Sequence, residues 1–375
     1  MPQKMDIKTK LKQSFVIDKI KATNWDNGNT SPLVVEIDTT EVCNLACPGC
    51  ISSDLTINKN SFKNDRLMRL AEEFHEIGVR AVIFIGGGEP LAHPSVGKFM
   101  TYLGEHNIHI GITTNGTFID KYLDIIAKCS NWTRVSMDAS TEETHFKLRP
   151  GENQVSKFNK IIGNMRKLSK IKKGRLGYSF LIRTEADGFG LESNISELYD
   201  AAVLSRDIGC DYFEVKPSYS FNGGVDHALV KHDPKRMAEA KIEIERLGEL
   251  ETGAFKITKA INLQYSLEGA DTIQPKKYTF CPVTELRTLI SPSGVYVCPY
   301  WRGKSRFRIG DLMNNSFKDM WNGERRKKVM EYLDPSKHCP FHCLRHESNL
   351  EIFRLIELIK GGENIIPVDE YDRFI

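Results

Sequence analysis

Between residues 33 and 219, short runs of β-branched and aromatic residues alternate with stretches whose apolar positions recur every three or four residues. That alternation predicts βα units and a parallel sheet. Six strands are expected, at 33–40, 81–85, 108–113, 133–138, 176–183 and 212–217. Between the first two, Leu67, Leu70, Phe74 and Ile77 give a helix one apolar face to lay on the sheet, and Val155, Phe158, Ile162 and Met165 repeat the arrangement before the fifth strand. Periodicity alone leaves two architectures open, a doubly wound sheet and an incomplete barrel. Beyond this region, a charged stretch at 231–250 reads as a helix. Residues 280–301 read as a hairpin turning at Ser291-Pro292-Ser293-Gly294, where a second domain is expected to begin. A last helix is expected at 349–360, ending at Gly361-Gly362.

Composition narrows the class. A chain of 375 residues with 40% hydrophobic content can bury a sizeable core, and a net charge of +3 gives no electrostatic case for a nucleic-acid or membrane partner. No apolar run of signal or membrane-spanning length occurs, so a soluble, cytoplasmic protein is expected. Nine cysteines in a reducing compartment point to metal binding rather than disulfides. Seven fall into two groups, Cys43, Cys47 and Cys50 early and Cys281, Cys298, Cys339 and Cys343 late, while Cys129 and Cys210 are expected to pack in the core.

Cys43, Cys47 and Cys50 have the spacing C-x3-C-x2-C on the loop after the first strand. Three thiols leave one position open on a single metal, or one iron unligated in an iron–sulfur cluster. The motif resembles the signature of the radical S-adenosylmethionine (radical SAM) superfamily, whose cluster binds the amino and carboxylate groups of S-adenosylmethionine. One departure stands out: the family usually places an aromatic residue, packed near the adenine, where this chain has Gly49. Gly86-Gly87-Gly88-Glu89-Pro90 after the second strand is similar to the family's second motif. There the backbone and Glu89 would hold the methionine ammonium. On the fourth strand, Val135 and Met137 should face the helices, which sends Arg134, Ser136 and Asp138 inward. The resemblance implies that Ser136 and Asp138 bond the ribose, that Arg149 meets the cofactor's carboxylate, and that Asn115 stands beside the cofactor. Loop stabilisation is the competing account of Arg149 and Asn115. It also implies a partial (β/α)6 TIM-like barrel within an α/β fold.

The four late cysteines suffice for a [4Fe-4S] or [2Fe-2S] cluster or a zinc site, and His338, His342 and His346 are substitute ligands. The segment from Gly310-Asp311-Leu312 to Asp319-Met320-Trp321-Asn322 resembles the C-terminal auxiliary-cluster domains of radical SAM enzymes called SPASM and twitch. With four cysteines the chain is nearer to a one-cluster twitch domain of the 2-deoxy-scyllo-inosamine dehydrogenase type, a small α+β unit whose cluster transfers electrons. The expected organisation is an N-terminal extension (1–30), the barrel (31–225), a linking helix and strand (226–280), the auxiliary-cluster domain (281–346) and a C-terminal helix and tail (347–375).

The resemblance implies two cofactors, a [4Fe-4S] cluster with S-adenosylmethionine and a second cluster, taken as [4Fe-4S]. A 5′-deoxyadenosyl radical would remove a hydrogen atom from the substrate. On the sixth strand Phe213 and Val215 should pack outward, leaving Tyr212, Glu214 and Lys216 in the barrel. These three, with Arg183 and Arg302, are the candidate substrate-side catalytic residues, against structural salt bridges as the alternative. Only about 30 residues precede the barrel, too few for a peptide-recognition domain, which favours a small polar substrate such as an amino sugar, cyclitol or nucleotide sugar undergoing dehydrogenation or epimerisation. Modification of a peptide or protein is the second reading, and a non-catalytic metal or electron carrier the third. Basic stretches at 166–175 and 325–328 are either solvated faces or docking sites for an acidic electron donor such as flavodoxin or ferredoxin.

Overall fold

Val35 and Ile37 pack to one side of the first strand and Glu36 to the other, the two-residue period expected of a strand covered on both faces. The computed structural model describes residues 7–25, 31–190, 192–220, 227–313 and 315–375. The ends of the expected N-terminal extension (1–6 and 26–30) and the expected boundary at 225–226 lie outside them. Twelve strands are described: β1 Val34–Ile37, β2 Ala81–Phe84, β3 His109–Thr114, β4 Ser130–Ser136, β5 Arg175–Leu181, β6 Tyr212–Lys216, β7 Tyr219–Ser220, β8 Ala228–Leu229, β9 Lys256–Lys259, β10 Arg287–Ser291, β11 Gly294–Tyr296 and β12 Arg308–Gly310.

β1 to β6 lie side by side in sequence order and parallel, each returned by helices. The fold is an open, partial (β/α) barrel. Two strands extend it beyond the six expected. β9 adds in parallel to β6, and β10 adds in parallel to β1, with Val34 opposite Arg287 and Ile37 opposite Ile290. The hairpin β10–β11 and then β12 continue antiparallel from that edge. The sheet therefore runs without a break past residue 281.

Two apolar clusters cover its two faces. The outer one joins Leu67, Leu70, Phe74, Phe99, Met165, Phe213 and Val215 to Phe307, Phe317 and Trp321 of the C-terminal segment. The helix carrying Met165 spans Phe158–Ile171 and leaves the expected Val155 outside it, exposed, because Asn153 and Gln154 turn the backbone left-handed. The inner cluster joins Val34, Ala81 and Ile83 to Leu11, Phe15, Val16, Ile17, Ile352, Leu355, Ile356 and Ile375. N-terminal and C-terminal segments thus plug the lower inner face, and the polar inner residues stand above the plug at the carboxyl ends of the strands, where barrel sites form.

Candidate functional site

The loop after β1 is held before any ligand is considered. Leu45 bridges to Gly151, and the Ala46 N–H donates to the Pro150 carbonyl at 2.8 Å. The glycines after β2 permit a closer contact: a Cβ on Gly88 would lie 2.2 Å from the Val42 carbonyl oxygen, and one on Gly87 2.8 Å from Asp38. The cysteine loop and the glycine loop therefore touch backbone to backbone. Cys43, Cys47 and Cys50 are free thiols and partly exposed. Burial pushes the Cys43 thiol up to about 12, with Glu89, Cys47 and Cys50 adding to the effect. Cys47 is raised by burial against the pull of Arg149, whose Nη1 lies 3.8 Å from its sulfur. Three thiolates here require a positive centre between them, which is what an iron cluster supplies.

The expected cofactor residues meet around this loop but largely bond one another. Glu89 Oε1 accepts from the Leu91 N–H at 3.1 Å and Thr114 Oγ1 at 2.6 Å, and Oε2 accepts from the Asn115 N–H at 2.7 Å. Burial still lifts its carboxyl to about 7. Asn115 donates to Asn44 Oδ1 at 2.9 Å and stands 3.9 Å from the Cys43 sulfur. Asp138 accepts from the Leu181 N–H at 2.8 Å and from Arg149 Nε at 3.0 Å and Nη2 at 2.5 Å. Asp138 and Arg149, expected to take separate parts of the cofactor, are thus partners. Ser136 is half-buried on the inner face, opposite Ser179. Sequence reasoning left the adenine contact unassigned. At Gly49, whose φ is +68°, an added Cβ would meet Phe189 Cε2, so that ring rests on the glycine backbone. Arg183 lies 5.4 Å from the centre of the same ring.

Across the barrel, Tyr212, Glu214 and Lys216 share the inner wall with Arg134. Arg134 Nη1 donates to Glu214 at 2.9 Å, and Lys216 Nζ stands 3.9 Å from the same carboxylate. Arg134 holds the Glu214 carboxyl low despite burial. Tyr212 lies over Gly177, where no side chain would fit beneath it. Arg183 does not reach the centre of this wall; it pairs with Asp187. Arg302 Nη1 bonds Ser52 Oγ and the Gly86 carbonyl, both at 3.0 Å, while Nε meets Asp38 at 2.8 Å. It ties the C-terminal segment to both loops of the first cysteine group.

The second group is drawn from three segments: Cys281 before β10, Cys298 after β11, and Cys339 and Cys343 beyond the helix Glu324–Tyr332. All four thiols are raised by burial first; Cys339, Cys343 and Cys281 each push Cys298 further, and Cys339 reaches about 12. Such a set binds as thiolates only around positive charge, and four thiolates fit an iron–sulfur centre. Among the described residues, no three Cys, His, Asp or Glu side chains converge as ligands of a single ion. The three expected substitute histidines are engaged elsewhere, His338 with the Asp334 N–H, His342 with the Asp271 carbonyl and His346 with Tyr278. Asn349, which sequence reasoning missed, accepts from the Val283 N–H at 3.0 Å and so turns its amide nitrogen to 3.4 Å from the Cys281 sulfur. Glu36, Arg287 and Arg345 were missed too, although the outward packing of Val35 and Ile37 already sends Glu36 inward.

The expected docking runs are only partly exposed. Arg326 is buried against Glu285 at 2.6 Å and over Trp321 at 3.9 Å, and Lys172 pairs with Asp211 at 2.6 Å. No helix among the described residues is long and apolar enough to cross a membrane.

Residues 37–184 match the sequence profile of the Radical SAM superfamily. The mycofactocin maturase MftC of Mycobacterium ulcerans is 25% identical over 127 residues, 33% of this chain and 34% of that protein. An S-adenosylmethionine-dependent nucleotide dehydratase of Flammeovirga pacifica is 23% identical over 197 residues, 51% of this chain and 62% of that one. The chain thus spans about a third of the maturase's length and under two thirds of the dehydratase's. In fold it is similar to Streptococcus suis SuiB bound to S-adenosylmethionine, with a TM-score of 0.60 at 14% identity over 91% of this chain and 77% of SuiB.

Proposed function

We propose, from the match of residues 37–184 to the Radical SAM superfamily profile, that the chain cleaves S-adenosylmethionine reductively and uses the radical on a small polar substrate. Bound at Cys43, Cys47 and Cys50, the cluster would supply the electron that releases a 5′-deoxyadenosyl radical. The chain's own residues position and screen. Arg149 beside Cys47 offsets thiolate charge, and Asn115 directs an amide toward Cys43. Gly86, Gly87 and Gly88 present backbone carbonyls, Glu89 fixes that loop, and Ser136 and Asp138 line the ribose side. Phe189, seated where Gly49 has no side chain, is proposed to cover the adenine. Tyr212, Glu214 and Lys216 face the substrate. Arg183 and Arg302, withdrawn into ion pairs, act as positioning residues. Cys281, Cys298, Cys339 and Cys343 would hold an auxiliary cluster, which would supply an electron acceptor for a dehydrogenation or serve an epimerisation, and a flavodoxin or ferredoxin would donate the electron for cofactor cleavage.

The observation that carries this reading is the meeting of the three-cysteine loop, the glycine loop and Arg302 from the second cysteine segment at one end of the barrel. A charged inner wall favours a small polar substrate. The MftC match favours the second reading, in which a peptide is modified. Anaerobic reconstitution should yield about eight irons per chain if both centres are [4Fe-4S], and 5′-deoxyadenosine should form with reductant and S-adenosylmethionine. Absence of 5′-deoxyadenosine from the two-cluster protein rejects the reading. A mass shift on a precursor peptide, with no turnover of sugars, favours the alternative.

A further inference from the structure

The cations on the inner side of the barrel fall into two kinds. Arg149 has Asp138, Arg302 has Asp38 and Arg183 has Asp187, one carboxylate to one guanidinium. Two other carboxylates each serve two cations. Glu36 meets Arg287 at 2.7 Å and Arg345 at 3.4 Å, and Glu214 meets Arg134 at 2.9 Å and Lys216 at 3.9 Å. Each trio carries one surplus positive charge among the described residues.

A surplus charge withdrawn from water needs an opposite charge nearby. For the Glu36 trio that charge is at hand. The Arg345 N–H points at the Cys343 sulfur at 3.3 Å, and Cys298 acts on Arg287. Thiolates of the second group would absorb the excess. The Glu214 trio stands on β4 and β6, and the charges that act most on Lys216 are those of Arg134, Glu214, Asp138 and Arg149. Since Asp138 and Arg149 pair with each other, the surplus on this wall has no further ion-pair partner among the described residues. Burial and then Arg134 push the Lys216 ammonium down to about 8, as expected of a cation in excess. The trio is also oriented: the carboxylate is 7% exposed, whereas Arg134 and Lys216 are 26% and 27% exposed, so the two cations are the members that reach solvent and the anion is the more deeply buried.

We infer that the substrate carries an anionic group, phosphoryl or carboxylate, and that Lys216, flanked by Arg134, receives it on the wall formed by β4 and β6. Charge-assisted hydrogen bonds to such a group are stronger than neutral ones, and Arg134 offers a planar fork where Lys216 offers a point charge. The inference rests on the reading of this chamber as the substrate site of a radical SAM enzyme, and it narrows the proposed sugars and cyclitols to acidic or phosphorylated ones.

Three matched probes test it on the reconstituted two-cluster protein saturated with S-adenosylmethionine: glucose 6-phosphate, glucuronate and glucose, titrated by calorimetry. At least one acidic sugar should bind once per chain while glucose does not, and the one that binds identifies phosphoryl or carboxylate. Lys216→Met and Lys216→Gln should each weaken that binding about tenfold or more, the loss expected for one charge-assisted hydrogen bond. Lys216→Arg should retain most of it. Equal affinity for all three sugars, no binding of either acidic one, or wild-type affinity in both neutral variants overturns the inference. Whether S-adenosylmethionine perturbs the electron paramagnetic resonance of the reduced first cluster is read separately; its absence in the wild-type protein counts against the radical SAM reading itself.

Discussion

The first three cysteines lie on one loop between residues 43 and 50, whereas the other four are drawn from segments spread between residues 281 and 343. The loop is braced by backbone contacts to residues 150 and 151 and to Gly88, which persist whatever the thiols do. In the second group a comparable brace holds the loop between Cys339 and Cys343, where Ile273 bridges to Phe341 and the Gln274 N–H donates to the Pro340 carbonyl at 2.6 Å, but the group as a whole is assembled from separate segments. Cys281 and Cys298 flank the hairpin β10–β11, and Cys339 and Cys343 follow a helix packed against the edge strand β12. A centre that joins distant segments closes long loops, so its ligation energy is also folding energy. Local ligands make a site that can be emptied without unfolding; dispersed ligands make one that cannot.

The largest test of that contrast is removal of each set. Replacing Cys43, Cys47 and Cys50 with alanine should abolish 5′-deoxyadenosine formation, yet shift the melting midpoint by no more than a few degrees. Replacing Cys281 and Cys298 should lower the midpoint by more than that and open residues 281–346 to protease. Equal midpoint shifts for the two sets would break the comparison.

Next in size is the tie between the regions. Arg302 is nearly buried and meets Asp38, so Arg302→Ala leaves that carboxylate buried and unpaired, at a cost of about 3 kcal/mol. Chemical denaturation should show that loss. Hydrogen exchange should quicken both in the β10–β11 hairpin and in the loop carrying Ser52; a change on one side alone would mean the two regions are not coupled through Arg302.

What could be read in advance follows the same division. The six barrel strands were legible because pairs such as Val35 with Ile37, and Phe213 with Val215, mark one face at a period of two. The linking strand expected within 226–280 was given no position, because Lys256–Lys259, an edge strand with exposed lysines, lacks that signal. The hairpin at 287–296 was legible from its turn, but its parallel pairing with β1 was not, since nothing local specifies a partner so distant in sequence. Among site residues, both cysteine sets were evident from composition and spacing. The Asp138–Arg149 and Arg302–Asp38 pairs were not, because burial and partner choice arise only after the chain has closed. Arg326 looked like part of a solvated basic run for the same reason.

A smaller effect sharpens the account of the first group. His145 is fully buried near Arg149, both ring nitrogens lack a partner, and burial pushes its imidazolium down to about 4. Because the folded value lies below the unfolded one, this group's stability contribution is intact above the ordinary histidine range and is lost as pH falls toward 4. Between pH 7 and 5 the loss amounts to about 2 kcal/mol. His145→Leu should flatten the stability profile over that interval by a similar amount; an unchanged slope would place the acid sensitivity elsewhere.

The smallest expected effect separates the two groups electronically. Each has an asparagine amide near one sulfur, Asn115 at 3.9 Å from Cys43 and Asn349 at 3.4 Å from Cys281. Asn115 donates to Asn44 at 2.9 Å and Asn349 to Tyr278 Oη at 3.2 Å, but Asn349 is also held toward its sulfur by the Val283 N–H and stands nearer to it. A donor to a ligating sulfur stabilises the more negative, reduced state of a cluster and raises its potential. Asn349→Leu should therefore move the second centre's potential negative by roughly 40 mV, the equivalent of one net hydrogen bond of about 1 kcal/mol in a one-electron couple. Asn115→Leu should move the first centre's potential by less, because its hydrogen bond to Asn44 is the shorter one. Potentiometric titration followed by electron paramagnetic resonance measures both. If Asn115 proves the stronger lever, the distances misjudge which sulfur is tuned, and the second group would differ from the first in its assembly alone.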